Sequence, residues 1–306
     1  MTTTELTSVA TVFYGGVAVL EKTLPTWLSS FGSLGFHFSF VDNTPGDEVK
    51  NLLSDLGFFD YQNTAYQKQE ENLGFAEGAN RAIKNSSTNR IFLLNPDTYF
   101  DKALAEQIAS ERITVEHPFV AFGLQTAGIV HTGIAINNFG FFVDSTNTSD
   151  LIIGPSGGAM LFNKDLFLDL GGFAEQLFAW GEDAEFALRL YAHDIKSKNS
   201  KIRIQHVGGH TVASEAGAKL KAKLINRNRI LILRATYSIP AQIVWLPVML
   251  AAVLANMVLR AERRSTIFQS LLGVRAGLKD PLTFAWSTEQ RLSVSAVNKL
   301  CWGKQN

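Results

Sequence analysis

The first hundred residues alternate short apolar runs with segments of helical spacing. Residues 9–14 and 90–94 are apolar runs of strand length, and residues 36–41 alternate in the way of a strand with one buried face. Residues 74–84 instead repeat their apolar side chains at helical spacing. Strands that alternate with helices predict an α/β fold with a doubly wound, mostly parallel, Rossmann-like sheet.

The pattern changes in the middle of the chain and again near residue 212. Residues 115–150 are rich in Gly, Asn, Thr and aromatic side chains without a helical period, which predicts short antiparallel strands and loops. Short helices are predicted at 165–170 and 182–192 and a strand at 202–206, and the chain after residue 212 has helical spacing. We therefore predict one α/β domain over 1–211 and a basic helical region over 212–306.

Charge divides the chain in the same place. Residues 1–194 hold 24 acidic and 10 basic side chains, whereas residues 195–306 hold 4 acidic and 18 basic ones, so the neutral total hides a basic C-terminal third. Such a region needs an anionic partner or surface, and a solvated basic face is the plain alternative. The single cysteine, Cys301, fits a reducing cytosol, and residues 1–8 lack the features of a secretion signal.

The basic region contains a run of 25 residues, 235–259, without a charge. That length is enough to span a bilayer, although Pro240 and Pro247 interrupt it, and a buried core helix or a dimer contact is the alternative. Both flanks are basic, with Arg260, Arg263 and Arg264 directly after the run, and a single span would leave one basic flank outside. We therefore favour an interfacial or re-entrant helix on the cytoplasmic face of the plasma membrane, held by anionic lipid.

Polar clusters stand where predicted strands and helices meet. Two of these clusters directly follow predicted strands, where open α/β sheets bind ligands: Asp42-Asn43 and Asn95-Pro96-Asp97. A third cluster, Glu182-Asp183, begins a predicted helix directly after Trp180-Gly181. Asp97 is placed to hold a divalent metal, Mg²⁺ or Mn²⁺, against a diphosphate, and Asp183 is the candidate base for an acceptor hydroxyl. Turn formation and compensation of the helix dipole are the alternative explanations of these clusters.

Five motifs in this order resemble family 2 glycosyltransferases, most closely the rhamnosyltransferase-like branch, over about residues 8–235. They are NLGFAEGAN at 72–80, LLNPD at 93–97, SGGAML at 156–161, GGFAE at 171–175 and FAWGEDAEF at 178–186. The resemblance implies a GT-A fold and an inverting, single-displacement transfer from a nucleotide-diphosphate sugar. Only the resemblance implies that the domain over 1–211 is catalytic, with a nucleotide-binding half (1–100) and an acceptor-binding half (101–211). The donor would be dTDP-rhamnose or a UDP-hexose, and the acceptor a cell-envelope polysaccharide or a lipid-linked glycan.

The resemblance also implies roles for single residues. Asp42 would bind the N3–H of a pyrimidine base, Asp97 and His206 would lie at the metal, and Asp183 would be the catalytic base. The other residues assigned to the donor are Asn43, Asn72, Asn80, Asn95 and Arg227, the first of an Arg-Asn pair; those assigned to the acceptor are Gly157, Gly158, Trp180 and Glu182. His210 has no assigned role.

Two other functions compete with this interpretation. One is a non-catalytic, membrane-bound relative, since Tyr14-Gly15-Gly16 and the single carboxylate of Asn95-Pro96-Asp97 depart from the family pattern. The other is a sugar nucleotidyltransferase, which should carry a basic glycine-rich loop near residue 15 that this chain lacks. We expect no nucleic-acid partner, and the oligomeric state is left open.

Overall fold

A computed structural model describes residues 5–147, 150–208, 214–259, 265–284 and 286–303. His210, the arginines at 260, 263 and 264, and the predicted domain boundary at 211/212 lie outside these ranges. The strands are β1 Thr7–Phe13, β2 His37–Asp42, β3 Thr64–Lys68, β4 Arg90–Leu94, β5 Thr98–Tyr99, β6 Phe119–Thr126, β7 Ile129–His131, β8 Ile134–Ile136, β9 Phe142–Asp144, β10 Ala159–Asn163 and β11 Ser197–His206. The helices are α1 Val17–Phe31, α2 Glu48–Asp55, α3 Gly74–Asn85, α4 Lys102–Ser110, α5 Lys164–Asp169, α6 Glu182–Ala192, α7 Glu215–Thr236, α8 Ile239–Leu259, α9 Ile267–Lys279 and α10 Val294–Trp302.

One large sheet organises the first two hundred residues. Its strand order is β3-β2-β1-β4-β10-β6-β11-β5, with β7 paired to β6. The strands β3, β2, β1 and β4 are mutually parallel, and β11 is parallel to β6, whereas β10 runs antiparallel between β4 and β6. The prediction of a mostly parallel α/β sheet is confirmed. Because β1 leads outward to β2 on one side and pairs with β4 on the other, the carboxyl ends of β1 and β4 form the crevice where such sheets bind ligands.

The two faces of this sheet carry separate apolar cores. Alternate side chains of each strand point to opposite faces, so Val9 of β1 joins the core under α1, α2 and α4, whereas Ala10 joins the core under α3, α5 and α6. The first core is unusually aromatic and includes Trp27, whose indole N–H donates to the Thr98 carbonyl at 2.8 Å. This bond ties α1 to the segment after β4, which carries Asp97.

The C-terminal helices pack on the second half of the sheet domain. A third apolar core joins α6 and the β8–β9 hairpin to α7, α8 and α10. Helices α7 and α9 cross at Gly273 and Gly277, where an added Cβ would lie 2.2 Å from the Lys223 carbonyl oxygen and 2.7 Å from that of Arg227. The absence of a side chain at these two positions is what lets the helices approach so closely.

The uncharged run at 235–259 is divided between two helices. Its first two residues end α7, Tyr237 and Ser238 connect the helices, and residues 239–259 form α8, in which Pro247 lies inside the helix. Every fourth residue of α8, at Ala241, Trp245, Met249 and Val253, is buried, and the opposite apolar face is exposed. Within the described residues, the segment Ile239–Asn256 is long and apolar enough to cross a membrane, and 22% of it is buried.

Candidate active site

A cavity of about 650 Å³ opens at the carboxyl ends of β1 and β4. Its floor comes from the segments after these strands, and its far wall from α6, the β8–β9 hairpin and α7. Ten of the predicted site residues line it: Asn43, Asn72, Asn95, Asp97, Gly157, Gly158, Trp180, Glu182, Asp183 and His206. Most of the residues predicted from the sequence for the site therefore lie in this one cavity.

Asp97 and His206 meet at one corner of the cavity. The two residues are brought together by the pairing of β5 with β11, in which His206 lies opposite Thr98. Asp97 is 3% exposed; its Oδ1 lies 3.0 Å from His206 Nε2, and its Oδ2 accepts from the Gly208 N–H at 3.0 Å. On the other side of the ring, His206 Nδ1 lies 3.0 Å from Thr126 Oγ1.

This corner suits a divalent cation. In the tautomer whose Nδ1–H donates to Thr126, the Nε2 atom of His206 has a lone pair that points toward Asp97 Oδ1. Nε2 and Oδ1 are then two hydrogen-bond acceptors 3.0 Å apart, and they need a proton or a cation between them. The described residues contain no group of three His, Cys, Asp or Glu side chains able to hold a metal. Two protein ligands, with phosphate oxygens and waters completing the shell, are the arrangement expected for Mg²⁺ or Mn²⁺ at a nucleotide.

Asp183 stands across the cavity in the first turn of α6. Its Oδ1 accepts from the Ala184 N–H at 2.8 Å, and its Oδ2 accepts from the Gly157 N–H at 3.0 Å and lies 3.3 Å from Ser156 Oγ. Burial, and then the charge of Asp144, raises the pKa of the Asp183 carboxyl to about 6. A carboxylate with this pKa is ionised at neutral pH but is a stronger base than an ordinary aspartate.

Glu182 is more buried than its neighbour. Its side chain is 5% exposed, and among the residues that the structure describes its Oε2 has no hydrogen-bond partner. Burial and the adjacent Asp183 charge raise the pKa of Glu182 well above its usual value, which favours its neutral form. Asp183, whose two oxygens both accept backbone hydrogen bonds that stabilise the ionised form, is therefore the better candidate base.

The segment before α6 is held in a strained shape that presents Asp183. Phe178 and Trp180 have φ values of 64° and 63°, which are unusual for residues with side chains. The buried Asn228 of α7 fixes them, because its amide donates to the carbonyls of Leu177, Ala179 and Trp180 at 2.8–3.1 Å. Asn228 was noticed in the sequence only as the partner of an arginine, and the structure gives it this positioning role.

Gly74 shows why the first motif needs a glycine beside this segment. It begins α3 with φ 80°, and an added Cβ would lie 2.5 Å from the Phe178 carbonyl oxygen. The same carbonyl accepts from the Ala76 N–H at 3.0 Å. The motif at 72–80 and the motif at 178–186 are therefore in direct contact through their backbones.

Asp42, predicted to bind the base, lies outside the cavity lining. Its side chain is fully buried; Oδ1 accepts from the Thr44 N–H at 2.8 Å, and Oδ2 accepts from Tyr66 Oη at 2.7 Å and Lys68 Nζ at 3.0 Å. Both oxygens thus bind groups of the protein itself, and the predicted contact with a base N–H stays a prediction. Asp42 instead fixes the loop that carries Asn43.

Asn80 and Arg227 also lie outside the lining. The Asn80 amide pairs with the backbone N–H and C=O of Phe173, each at 2.9 Å, and so clamps the GGFAE turn to α3. Arg227 pairs through Nε with Asp280 at 2.7 Å and donates from Nη1 to the Gln176 carbonyl at 2.9 Å. In this structure the polar atoms of both residues are engaged in packing contacts away from the cavity, so their predicted donor roles stay predictions.

The cations that do line the cavity from α7 are Lys221 and Arg229. With Ile225 they recur every fourth residue, so they form one stripe of the helix. The Arg229 guanidinium lies over the Phe141 ring at 4.2 Å, and Lys221 Nζ lies 5.8 Å from the Trp180 ring centre. The four-residue spacing was the only sequence signal for this stripe, and the sequence does not specify which face of α7 meets the cavity.

Comparison with known proteins supports the fold. A family model described as the N-terminal domain of galactosyltransferase matches residues 142–210, the segment that contains Ser156, Asp183 and His206. No curated protein matches the chain by sequence at a significant level.

Solved structures give a broader match. A mannosyltransferase, PcManGT from Pyrobaculum calidifontis, solved with GDP-Man and Mn²⁺, aligns over 91% of this chain and 88% of its own with a TM-score of 0.55 and 12% identity. GalNAc-T7, solved with UDP, GalNAc and Mn²⁺, aligns over 92% and 57% with a TM-score of 0.61 and 11% identity. The 1–349 portion of TarS from S. aureus aligns over 90% and 81% with a TM-score of 0.51 and 15% identity. The chain therefore has the GT-A fold that these glycosyltransferases share.

Proposed function

We propose that this protein is a glycosyltransferase that moves a sugar from a nucleotide diphosphate to an acceptor hydroxyl. The observation that carries the proposal is one cavity, at the ligand-binding edge of a GT-A sheet, in which the Asp97–His206 pair faces Asp183. The Asp97–His206 pair is suited to bind a cation and a diphosphate, and Asp183 is suited to take the proton of the acceptor. The nucleotide sugars bound to the similar structures support the donor class.

Each side of the cavity has a separate task. Asp97 and His206 would hold Mg²⁺ or Mn²⁺, which when bound neutralises the charge that develops on the departing diphosphate. Asp183 takes the proton of the acceptor hydroxyl as its oxygen bonds to the anomeric carbon, and the bond from that carbon to the phosphate oxygen breaks. Asn228 and the N–H groups of Gly157 and Ala184 hold Asp183 in place for this step.

We infer a single displacement with inversion, in keeping with the family resemblance, because Asp183 is placed as a base. A pyrimidine nucleotide sugar, dTDP-rhamnose or a UDP-hexose, is the proposed donor. Thermal-shift measurements against UDP, dTDP and GDP sugars, with and without Mn²⁺, test this choice, since a bound ligand stabilises the folded state. Stabilisation by GDP sugars alone would contradict the pyrimidine assignment.

Donor turnover separates this proposal from a non-catalytic relative. The parent protein should release nucleoside diphosphate from its donor, and Asp183→Asn should release it at least 100-fold more slowly, as expected for loss of a general base. Binding without any release would favour the non-catalytic alternative. Pyrophosphate release from a nucleoside triphosphate and a sugar phosphate would favour a nucleotidyltransferase.

We further propose that the C-terminal helices lie on an anionic membrane surface on the cytoplasmic side. The outward face of α8 exposes Ile239, Ile243, Val244, Val248 and Leu254. On α9, Phe268, Leu271 and Leu278 are exposed and share a face with Arg275, spaced as an amphipathic helix requires. The excess of basic residues after residue 194 is complementary to anionic lipid.

This position would place a lipid-linked or membrane-proximal glycan within reach of the cavity. Gly140, in the hairpin between β8 and β9, packs against Trp245 of α8, and the adjacent Phe141 lies under the cavity residue Arg229. The hairpin and the width of α8 thus lie between the cavity wall and the exposed apolar face. An acceptor anchored in the bilayer could extend a sugar into the site across this distance.

Vesicle co-sedimentation tests the membrane proposal. The parent protein should pellet with vesicles containing phosphatidylglycerol but not with pure phosphatidylcholine, and a double variant, Ile243→Glu with Val248→Glu, should stay in the supernatant. Val115→Glu, which also places a charge at an exposed apolar position, is the control and should pellet like the parent. Unchanged pelleting of the double variant would overturn the proposal.

A further inference from the structure

Besides Asp97, Glu182 and Asp183, the cavity is lined by one more acidic residue, Asp144. Asp144 ends β9 and lies opposite Ile134 of β8, and Gly154 bridges to Ile134 from the other side. This three-strand arrangement brings Asp144 and the SGG turn that follows Gly154 to the same edge of the cavity. None of the sequence motifs pointed to Asp144.

Ser156 connects the two aspartates. Its Oγ lies 3.3 Å from Asp183 Oδ2, and its hydroxyl also hydrogen-bonds the Asp144 carboxylate. A serine hydroxyl has one proton to donate, so it can satisfy only one of the two carboxylates at a time. The two acids are therefore linked by competition for one donor as well as by the repulsion of their charges.

We propose that Asp144 is a positioning residue that keeps Asp183 a stronger base, through charge repulsion and through the Ser156 hydroxyl that both share. The description of Asp183 as a base rests on the proposed function, whereas the link between the two carboxylates rests on their place in one cavity and on the Ser156 hydroxyl between them. When Asp183 accepts a proton, the repulsion is relieved and Ser156 can turn fully to Asp144. Proton transfer to Asp183 is thus favoured by its neighbour.

The surrounding charges leave Asp144 as the main source of this repulsion. Glu182, the nearest acid on α6, is buried, and burial raises its pKa well above the usual value, which disfavours a charge on it. Asp144 lines the cavity but is solvent-exposed, and the groups that face it from other elements are His131 of β7, Lys221 of α7 and His206 of β11. With Asp144 ionised, the charge acting on Asp183 across the Ser156 hydroxyl is negative.

Carbon NMR of the full chain with ¹³C-labelled aspartate tests the link without any substrate. Asp183, identified by loss of its signal in Asp183→Asn, should titrate near pH 6 in the parent. Asp144→Asn should lower this midpoint by about one pH unit, because a negative neighbour is removed. Ser156→Ala should raise it, because a donor to the carboxylate is lost.

Two further variants separate the charge of Asp144 from its structural contribution. Asp144→Glu keeps the charge and should keep the parent midpoint, and Asp150→Asn removes a charge that is bonded to Ser145 in the same loop, outside the cavity lining, and should change nothing. An unchanged or higher Asp183 midpoint in Asp144→Asn would overturn the proposal. So would an equal shift in Asp150→Asn.

The pH dependence of transfer provides the catalytic readout. With a donor identified, the acidic limb of the rate profile should move to lower pH in Asp144→Asn by the same amount as the NMR midpoint, while the plateau rate falls several-fold because the base is weaker. A limb that stays in place while the midpoint moves would contradict the role of Asp144 in the reaction. Absence of transfer with every donor would instead count against the proposed function and leave the link between the carboxylates intact.

Discussion

Asp183→Asn should make the protein more stable at neutral pH while abolishing transfer. Burial and the charge of Asp144 raise the pKa of Asp183 from 3.8 to about 6, so the ionised carboxylate opposes folding. The native state therefore does not bear this cost below pH 3.8, where Asp183 is protonated in both the folded and the unfolded chain, and the free energy of unfolding falls as the pH rises through 6. At pH 7.5 this cost amounts to about 3 kcal/mol, which the neutral amide avoids.

The net gain is smaller because the amide keeps only one oxygen acceptor. Asp183 accepts hydrogen bonds at both oxygens, from Ala184 at one and from Gly157 at the other, and losing one of them costs about 1 kcal/mol. The expected gain is therefore about 2 kcal/mol at pH 7.5. For a chain of 306 residues that corresponds to a Tm increase of about 3 °C.

Scanning calorimetry of the parent and the variant between pH 4 and pH 8 measures this effect. The difference in Tm should be near zero or slightly negative at pH 4, where the parent carboxyl is protonated, and should grow as the pH passes 6. Asp169→Asn, at an exposed position on α5, should follow the parent at every pH. A variant that is less stable than the parent at pH 7.5, or a difference independent of pH, would refute the burial argument for Asp183.

Three other predictions test the metal corner, the strained segment and the helix crossing. His206→Ala should weaken Mn²⁺-dependent nucleotide binding at least 10-fold in calorimetric titrations, because loss of a group that supports a metal site lowers affinity by about that factor, and it should leave metal-free binding unchanged. Equal nucleotide binding by the parent with and without Mn²⁺ would contradict a metal site at this corner. Asn228→Ala should lower the free energy of unfolding by about 1–3 kcal/mol in urea titrations and slow transfer, because three carbonyls lose their donor; a loss of stability with full activity would remove its positioning role. Gly277→Val should lower the free energy of unfolding by about 1–3 kcal/mol in urea titrations, because the added side chain meets the α7 backbone. Arg275→Ala, on the exposed face of α9, should lower it by less than about 0.5 kcal/mol. Equal losses in the two variants would contradict the close crossing of α7 and α9.

Local pattern was enough to predict the elements that carry the site. The helix predicted at 182–192 coincides with α6, and the strand at 90–94 with β4, because each has a clear period and a marked end. From these elements the cavity positions of Asp97 and Asp183 could be predicted. That Asp183 rather than Glu182 titrates near neutrality depends on burial, which the structure supplies.

Pairings between distant segments could not be predicted in this way. Strand β10 lies at 159–163, at the end of a glycine-rich segment without a period, and its place between β4 and β6 depends on residues far away in sequence. The expectation of short strands over 115–150 also missed the eight-residue β6, a central strand of the sheet. Strand order is set by tertiary packing, which single-segment patterns do not contain.

The same limit explains why some predicted site residues lie outside the cavity lining. Arg227 and Arg229 lie on one helix two residues apart, so they face different directions, and the contact of α7 with Gly273 and Gly277 decides which of them reaches the cavity. Asp144 lies in a hairpin whose sequence has no chemical motif. Asp42 does follow a strand as predicted, but Tyr66 and Lys68 of the neighbouring strand take up its carboxylate.

The central claim is that Asp183 accepts the proton of an acceptor in a metal-assisted transfer from a nucleotide sugar. Its most direct test is the release of nucleoside diphosphate from the donor identified by thermal shift, measured in Mn²⁺ for the parent, Asp183→Asn and Asp169→Asn. We predict release by the parent and Asp169→Asn at the same rate, and a rate at least 100-fold lower for Asp183→Asn, which still binds the donor. Equal rates for all three proteins would contradict the account.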